Sequence, residues 1–168
     1  MRTRDTEIKK MIDGYSLDGF YNLNLRPAGL DTYPESDIIQ KISQIIDTVK
    51  PSIIVLPYRF DVHSDHRIAF NLCYSCTKTF RYPFIKKVLM MEILSETEYS
   101  LNLFQPNYFV DISKYIKKKI EILNIFESEI KEHPFPRSKE AVWANSLLRG
   151  TMAGVKHAEA FVLLKHIE

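Results

Sequence analysis

Between Ile38 and Pro57 the chain changes its hydrophobic period once, and abruptly. Ile38, Ile39, Ile42, Ile45, Ile46 and Val49 recur at helical spacing, Ser36 is the expected N-cap, and Pro51 closes the pattern. Ser52-Ile53-Ile54-Val55-Leu56-Pro57 then forms an unbroken apolar run. Such a run, without the alternation of a half-exposed strand, predicts a parallel strand covered on both faces. A helix feeding a buried strand is the repeating unit of α/β sheets, in which ligands bind beyond the carboxyl ends of the strands. The loop after Leu56 therefore marks the functional edge before its residues are considered.

The rest of the chain extends the alternation. Asp5 to Met11 reads as the tail of a helix stopped near Gly14, and Phe20 to Leu25 as a short strand before the turn formers Arg26-Pro27-Ala28-Gly29-Leu30. After the polar loop Tyr58 to Asp65, a helix is expected from about His66 to Phe80, then strands at Lys87 to Leu94 and Tyr108 to Ile112. A long helix is predicted from Ser113 to about Lys131, and the proline-rich loop His133 to Ser138 leads into another that ends at Gly150 or Gly154. Ala158 to Ile167 reads as a short edge strand or extended tail. The predicted fold is α/β, a Rossmann-like, mainly parallel sheet flanked by helices, in a single domain over residues 1–168.

Composition narrows the function. A formal charge of +2 among 168 residues lacks the concentrated basic stripe of a nucleic-acid partner, so no nucleic acid is expected. Lys117-Lys118-Lys119 reads as a solvated helix face. No apolar run reaches the roughly 18 residues of a membrane span. Met1 to Asp5 lacks the apolar core of a signal peptide, so the expected location is the cytoplasm. Cys73 and Cys76 form a single C-x-x-C pair within a helical pattern, which reads as buried free thiols.

The loop at the functional edge reads Tyr58-Arg59-Phe60-Asp61-Val62-His63-Ser64-Asp65-His66. Two imidazoles and two carboxylates within six residues have the chemistry of metal binding and proton transfer. A polar loop with a capping Asp65 and exposed histidines would carry the same residues. Because a catalytic zinc takes three protein ligands and keeps one open position, the cluster supplies one or two of them.

Lys50 to Pro57 followed by Asp61-Val62-His63-Ser64-Asp65-His66 resembles the second motif of the LmbE/PIG-L deacetylases, a buried strand running into a D-x-H-x-D-H loop. Asn107 to Ser113, His133 to Ser138, and Gly150 to Gly154 with Ala158-Glu159-Ala160-Phe161 resemble further segments of that family, in order. The resemblance implies a zinc-dependent hydrolase that removes an N-acetyl group from an N-acetylated amino sugar or sugar conjugate. In that family zinc is typically held by a His and an Asp of an A-H-P-D-D-E motif and by the last His of the second motif. By resemblance His66 is a metal ligand, and His63, as a charged imidazole, steadies the tetrahedral intermediate. Asp65 is expected to orient or charge His63, and Asp61 to position the loop. Arg26, Tyr58 and Arg59 are the candidate substrate contacts.

No A-H-P-D-D-E occurs in this sequence. The expectation is a partial domain without its N-terminal strand, loop and helix, two metal ligands and the catalytic base, and so inactive or marginally stable alone. A truncated reading frame, a split enzyme completed by another chain or a homo-oligomer, and a non-catalytic carbohydrate- or partner-binding relative all fit. The sequence upstream of Met1 discriminates among them. Glu159 is expected to have a structural role, such as pairing with an Arg, rather than to touch substrate or the loops around the site; His133 and His157 are expected to be structural or exposed, and Trp143 to lie in the core.

Overall fold

The computed structural model describes residues 3–168, so Met1 and Arg2, part of the N-terminus read as lacking a signal peptide, lie outside the described residues. The elements are α1 (Thr3–Tyr15), α2 (Glu35–Val49), β1 (Ile53–Pro57), α3 (Ser64–Ser75), β2 (Lys87–Met91), β3 (Tyr108–Asp111), α4 (Ile116–Leu123), α5 (Lys139–Ala153) and β4 (Ala158–His166). The strands form one open sheet in the order β1-β2-β4-β3, in an α/β fold as expected. The sheet is more mixed than predicted. β1 and β2 pair in parallel, whereas β2 and β4 pair antiparallel with a bulge between Val88 and Leu89. Asn107 donates to Phe161 and Ile112 to His157, so β3 also runs against β4. β4 is therefore an interior strand of nine residues, not an edge or a tail.

Two compact units share this chain. One comprises residues 23–108 and 160–168, the other residues 1–22 and 109–159. In the first, α2 lays Ile38 and Ile46 against the core, with Ile39 and Ile42 packed beside them. The cap differs from the one expected: Pro34 is the N-cap and Ser36 lies inside the first turn. Lys50 ends the helix in the left-handed region (φ 49°), its N–H returning to Ile46 O at 2.8 Å. That turn feeds β1.

β1 is not covered on both faces. Leu56 is buried and Ile54 packs on the core, but Ile53 and Val55 are 51% and 43% exposed. The strand also sits at the sheet edge, and of its two faces the one carrying Ile54 and Leu56 meets the core. The strand that does bury a continuous run is β2, where Val88, Leu89 and Met90 are all buried between two neighbours. Around them gather Tyr58, Phe70, Cys76, Tyr82 and Ile85. Cys73 and Cys76 are free thiols, and burial together with the neighbouring Cys76 pushes the Cys73 thiol up to about 11.

In the second unit α4 packs on α1 and on α5. The long helix expected from Ser113 to Lys131 is broken: α4 stops at Leu123, and only a 3-10 turn at Glu127–Glu129 follows. α5 begins at the predicted cap, where the buried Ser138 accepts from Ala141 N–H at 3.1 Å, and it ends on Gly154 with φ 72°. Trp143 is not core. It is 39% exposed and sets its ring edge-on to the buried His157, 4.5 Å between centroids, while Ser146 bonds His157 Nδ1 at 2.8 Å. His133 is exposed. Glu159 takes a structural ion pair, its partner being Lys119 at 2.7 Å. Phe20 to Leu25 forms no strand.

Candidate functional site

The Asp61–His66 loop leaves the carboxyl end of β1 and enters α3, within the first of the two units. α3 starts at Ser64, two residues earlier than the sequence suggests, and stops at Ser75, well short of Phe80. His63 is therefore the N-cap. Its Nδ1 accepts from Asp65 N–H at 3.1 Å, a role more often filled by Ser, Thr, Asp or Asn. An Nδ1 that accepts carries no proton, so the His63 proton belongs on Nε2. With Nδ1 engaged by the backbone, Nε2 is the nitrogen that faces away from the helix start.

His66 sits one turn along, its ring stacked on that of His63 with centroids 4.7 Å apart and planes 20° from parallel. Its Nδ1 meets Asp61 Oδ2 at 2.9 Å. The carboxylate accepts, so Nδ1 holds the proton and the Nε2 lone pair is left to a ligand. A carboxylate behind the far nitrogen is the common support of a metal-ligating histidine. The two rings thus offer, side by side, a lone pair at His66 Nε2 and an N–H at His63 Nε2.

Asp61 is wholly buried, so both oxygens require partners. Oδ2 has His66. Oδ1 accepts from Thr97 Oγ1 at 2.5 Å, and Thr97 Oγ1 in turn accepts from Ile93 N–H at 2.8 Å. Arg67 closes the loop from outside, its Nη1 donating to the carbonyls of Asp61 and Val62, both at 2.7 Å. Neither Thr97 nor Arg67 emerges from the motif. Thr97 is 36 residues distant in sequence and carried no pattern of its own. Arg67 directly follows the motif and reads in sequence as an ordinary helical residue.

The Asp65 carboxylate does not face His63. It accepts from Ala28 N–H at 2.6 Å and Leu30 N–H at 3.2 Å, so it ties the 26–30 turn to the start of α3. Only the Asp65 backbone reaches the His63 ring. Ala28 holds a positive φ of 52° in that turn. Arg26, exposed, stands two residues before the tied Ala28. Arg59, also exposed, lies over the rings of Phe60 and Phe70 at 4.8 and 5.5 Å. Tyr58 is buried, and its hydroxyl donates to Leu103 O at 3.1 Å. Burial, and then the Asp61 carboxylate, hold that phenol above its ordinary value. Tyr58 is thus engaged in holding the 102–103 segment rather than presented to solvent.

A catalytic zinc needs three protein ligands. Among the described residues no group of three or more His, Cys, Asp or Glu is placed to hold a metal ion. His66 offers one supported nitrogen, so these residues do not by themselves fit a complete metal centre.

Residues 1–77 match the family model PIG-L, described as GlcNAc-PI de-N-acetylase. Solved structures share the fold along nearly the whole chain. The conserved protein TT1542 from Thermus thermophilus superposes with a TM-score of 0.80 at 22% identity, covering 99% of this chain and 74% of that one. N,N'-diacetylchitobiose deacetylase from Pyrococcus horikoshii gives 0.74 at 18% identity, covering 97% of this chain and 63% of that one. GalB, the 4-carboxy-2-hydroxymuconate hydratase from Pseudomonas putida, gives 0.75 at 14% identity over 99% and 72%. The chain thus spans between roughly three fifths and three quarters of these structures. A deacetylase and a hydratase share the scaffold, so the scaffold alone does not select the reaction.

Proposed function

We propose that the chain is a PIG-L family member, as the match of residues 1–77 suggests, and that it forms part of a deacetylase-type amide hydrolase acting on N-acetylated amino sugars or their conjugates. One observation carries the reading: buried Asp61 holds His66 through Nδ1 at 2.9 Å, which reserves Nε2, beside a second imidazole stacked 4.7 Å away. His66 is assigned as one metal ligand, zinc by family resemblance, of a centre that other residues complete. Those residues belong to a longer polypeptide, a complementing chain or a second copy of this one.

In amide hydrolysis the oxygen of water bonds to the acetyl carbon, the C–N bond breaks, and the nitrogen leaves as an amine after gaining a proton. Negative charge develops on the acetyl oxygen. In this reading the Nε2–H of His63 donates to that oxygen, a contact that strengthens as the charge grows. Asp61 and Thr97 hold His66 in one tautomer, and Asp65 holds the 26–30 turn. That turn carries Arg26, which with Arg59 is the candidate contact to sugar hydroxyls or a phosphate. The sugar class rests on the family description and on the chitobiose deacetylase of the same fold.

The test is amine release from N-acetylglucosamine conjugates. It is run on the 168-residue protein and on the protein completed by a segment bearing Ala-His-Pro-Asp-Asp-Glu, in cis or as a second chain. Turnover by the completed protein, lost in His66→Ala and lowered about 10²-fold or more in His63→Ala, is expected from the loss of an oxyanion donor. Turnover that survives His66→Ala overturns the assignment. A completed protein that binds zinc but releases no amine overturns the deacetylase reading itself.

A further inference from the structure

The second unit contains a cavity of about 300 Å³, lined by Gly14 and Tyr15 of α1 and by the Tyr115–Ile122 stretch that opens and forms α4. None of its lining residues belongs to the histidine loop. From its lining we propose that this cavity is a binding site for a small organic anion, an aromatic or otherwise apolar body bearing one carboxylate or phosphate.

The argument begins with α4. Tyr115, Lys118, Lys119 and Ile122 stand at i, i+3, i+4 and i+7, so one helix face turns to the cavity. Lys117 does not line it, which divides the lysine run between two faces. Buried Ile112 and Ile122 make an apolar floor. Gly14 makes room beside it, since a Cβ there would stand 3.5 to 3.8 Å from Ile122 and Ile125 side-chain atoms. The volume is at the lower end of small-molecule sites, roughly 300–1,000 Å³, and an apolar lining with a few polar groups is their usual make-up.

The polar groups favour an anion. Lys119 is neutralised by Glu159 at 2.7 Å, which also fixes both side chains. Lys118 has Glu121 only at 3.9 Å across a well-exposed helix surface, a contact of little strength. Its ammonium is therefore the available cation. Two phenols complete the frame. The Tyr15 phenol, held above its ordinary value by burial and then by the Glu159 carboxylate, can donate as any neutral tyrosine hydroxyl does. The lining carries two lysines against one glutamate, a net single positive charge set beside an apolar floor.

The experiment titrates the full chain with benzoate, phenyl phosphate, inorganic phosphate and benzyl alcohol, following backbone amides by NMR. Saturable shifts at Gly14, Ile112 and Ile122 are expected with benzoate or phenyl phosphate, and which of the two binds tighter identifies the head group. Inorganic phosphate lacks the body and benzyl alcohol lacks the charge, so each binds at least about tenfold more weakly. Lys118→Glu weakens binding of the aromatic anion about tenfold, and Lys118→Arg retains it. Gly14→Leu, with unchanged circular dichroism, blocks it by filling the cavity. Shifts clustered elsewhere, no saturation, equal response to inorganic phosphate, or indifference to Lys118→Glu overturns the proposal.

Discussion

Thr97 shows how much one uncharged hydroxyl does in a buried site. It donates to Asp61 and accepts from Ile93 N–H, so it joins the 93–97 turn to the histidine loop. Replacing it with Val keeps the shape but strips a buried carboxylate oxygen of its donor and a backbone N–H of its acceptor. Each orphaned group costs about 1–3 kcal/mol. Thr97→Val is therefore expected to lower stability by roughly that amount or more in urea unfolding, and Thr97→Ser to recover most of it. Equal stability of Thr97→Val and the parent protein would remove Thr97 from this role. The motif announced Asp61, His63, Asp65 and His66 in sequence, because they are close in number and rich in chemistry. It did not announce which carboxylate serves which imidazole. The structure pairs Asp61 with His66 and sends Asp65 to Ala28 and Leu30. Side-chain direction through a loop is not readable from spacing, so the sequence does not tell that Asp65 meets His63 through its backbone N–H and the 26–30 turn through its carboxylate.

Among elements, α5 was legible because its caps are local chemistry. Ser138 opens it and Gly154 closes it in the left-handed region. Gly150 is a different case. A Cβ there would come within 2.7 Å of the carbonyl oxygens of Val155 and Lys156, backbone atoms that cannot swing aside. The chain turning back toward β4 passes over this helix position, and the Val155 N–H bonds Gly150 O at 3.0 Å. Gly150→Ala should gain helix propensity yet destabilise by about 1–3 kcal/mol through overpacking, read as a drop in the thermal midpoint. Glycine here is required by close approach, which the G-x-x-x-G spacing hinted at and only the turn explains. α4 was misjudged for the opposite reason. Ile116, Ile120, Leu123 and Ile130 satisfy a helical period, but periodicity does not record the break after Leu123, where the chain turns into a 3-10 segment.

For the whole molecule, the sheet edge carries the consequence. β1 lies outermost, with Ile53 and Val55 half-exposed along one face. An apolar edge strand is a template for association. Ile53→Lys with Val55→Lys is expected to reduce concentration-dependent association of the 168-residue chain, measured by light scattering, without loss of folded signal. Undiminished association would place the sticky surface elsewhere. No helix among the described residues is long and apolar enough to cross a membrane.

By itself the sequence determined the α/β class, the order of most elements and the residues of the histidine loop. Hydrophobic period, proline and glycine punctuation, and clustered donor chemistry are all local, and local signals survive in one dimension. Tertiary structure decided which strand is covered. The apolar run at Ile53–Leu56 met one layer at an edge, while Lys87–Met91, with a less conspicuous sequence, took the interior between β1 and β4. It decided also that β4 returns antiparallel through the middle of the sheet, and that part of a lysine run faces a cavity. Thr97, 36 residues beyond Asp61, completes the support of His66 only because the fold brings its turn there. Burial and hydrogen-bond partnership depend on what packs alongside, and a residue's neighbours in space are not written in its neighbours in sequence.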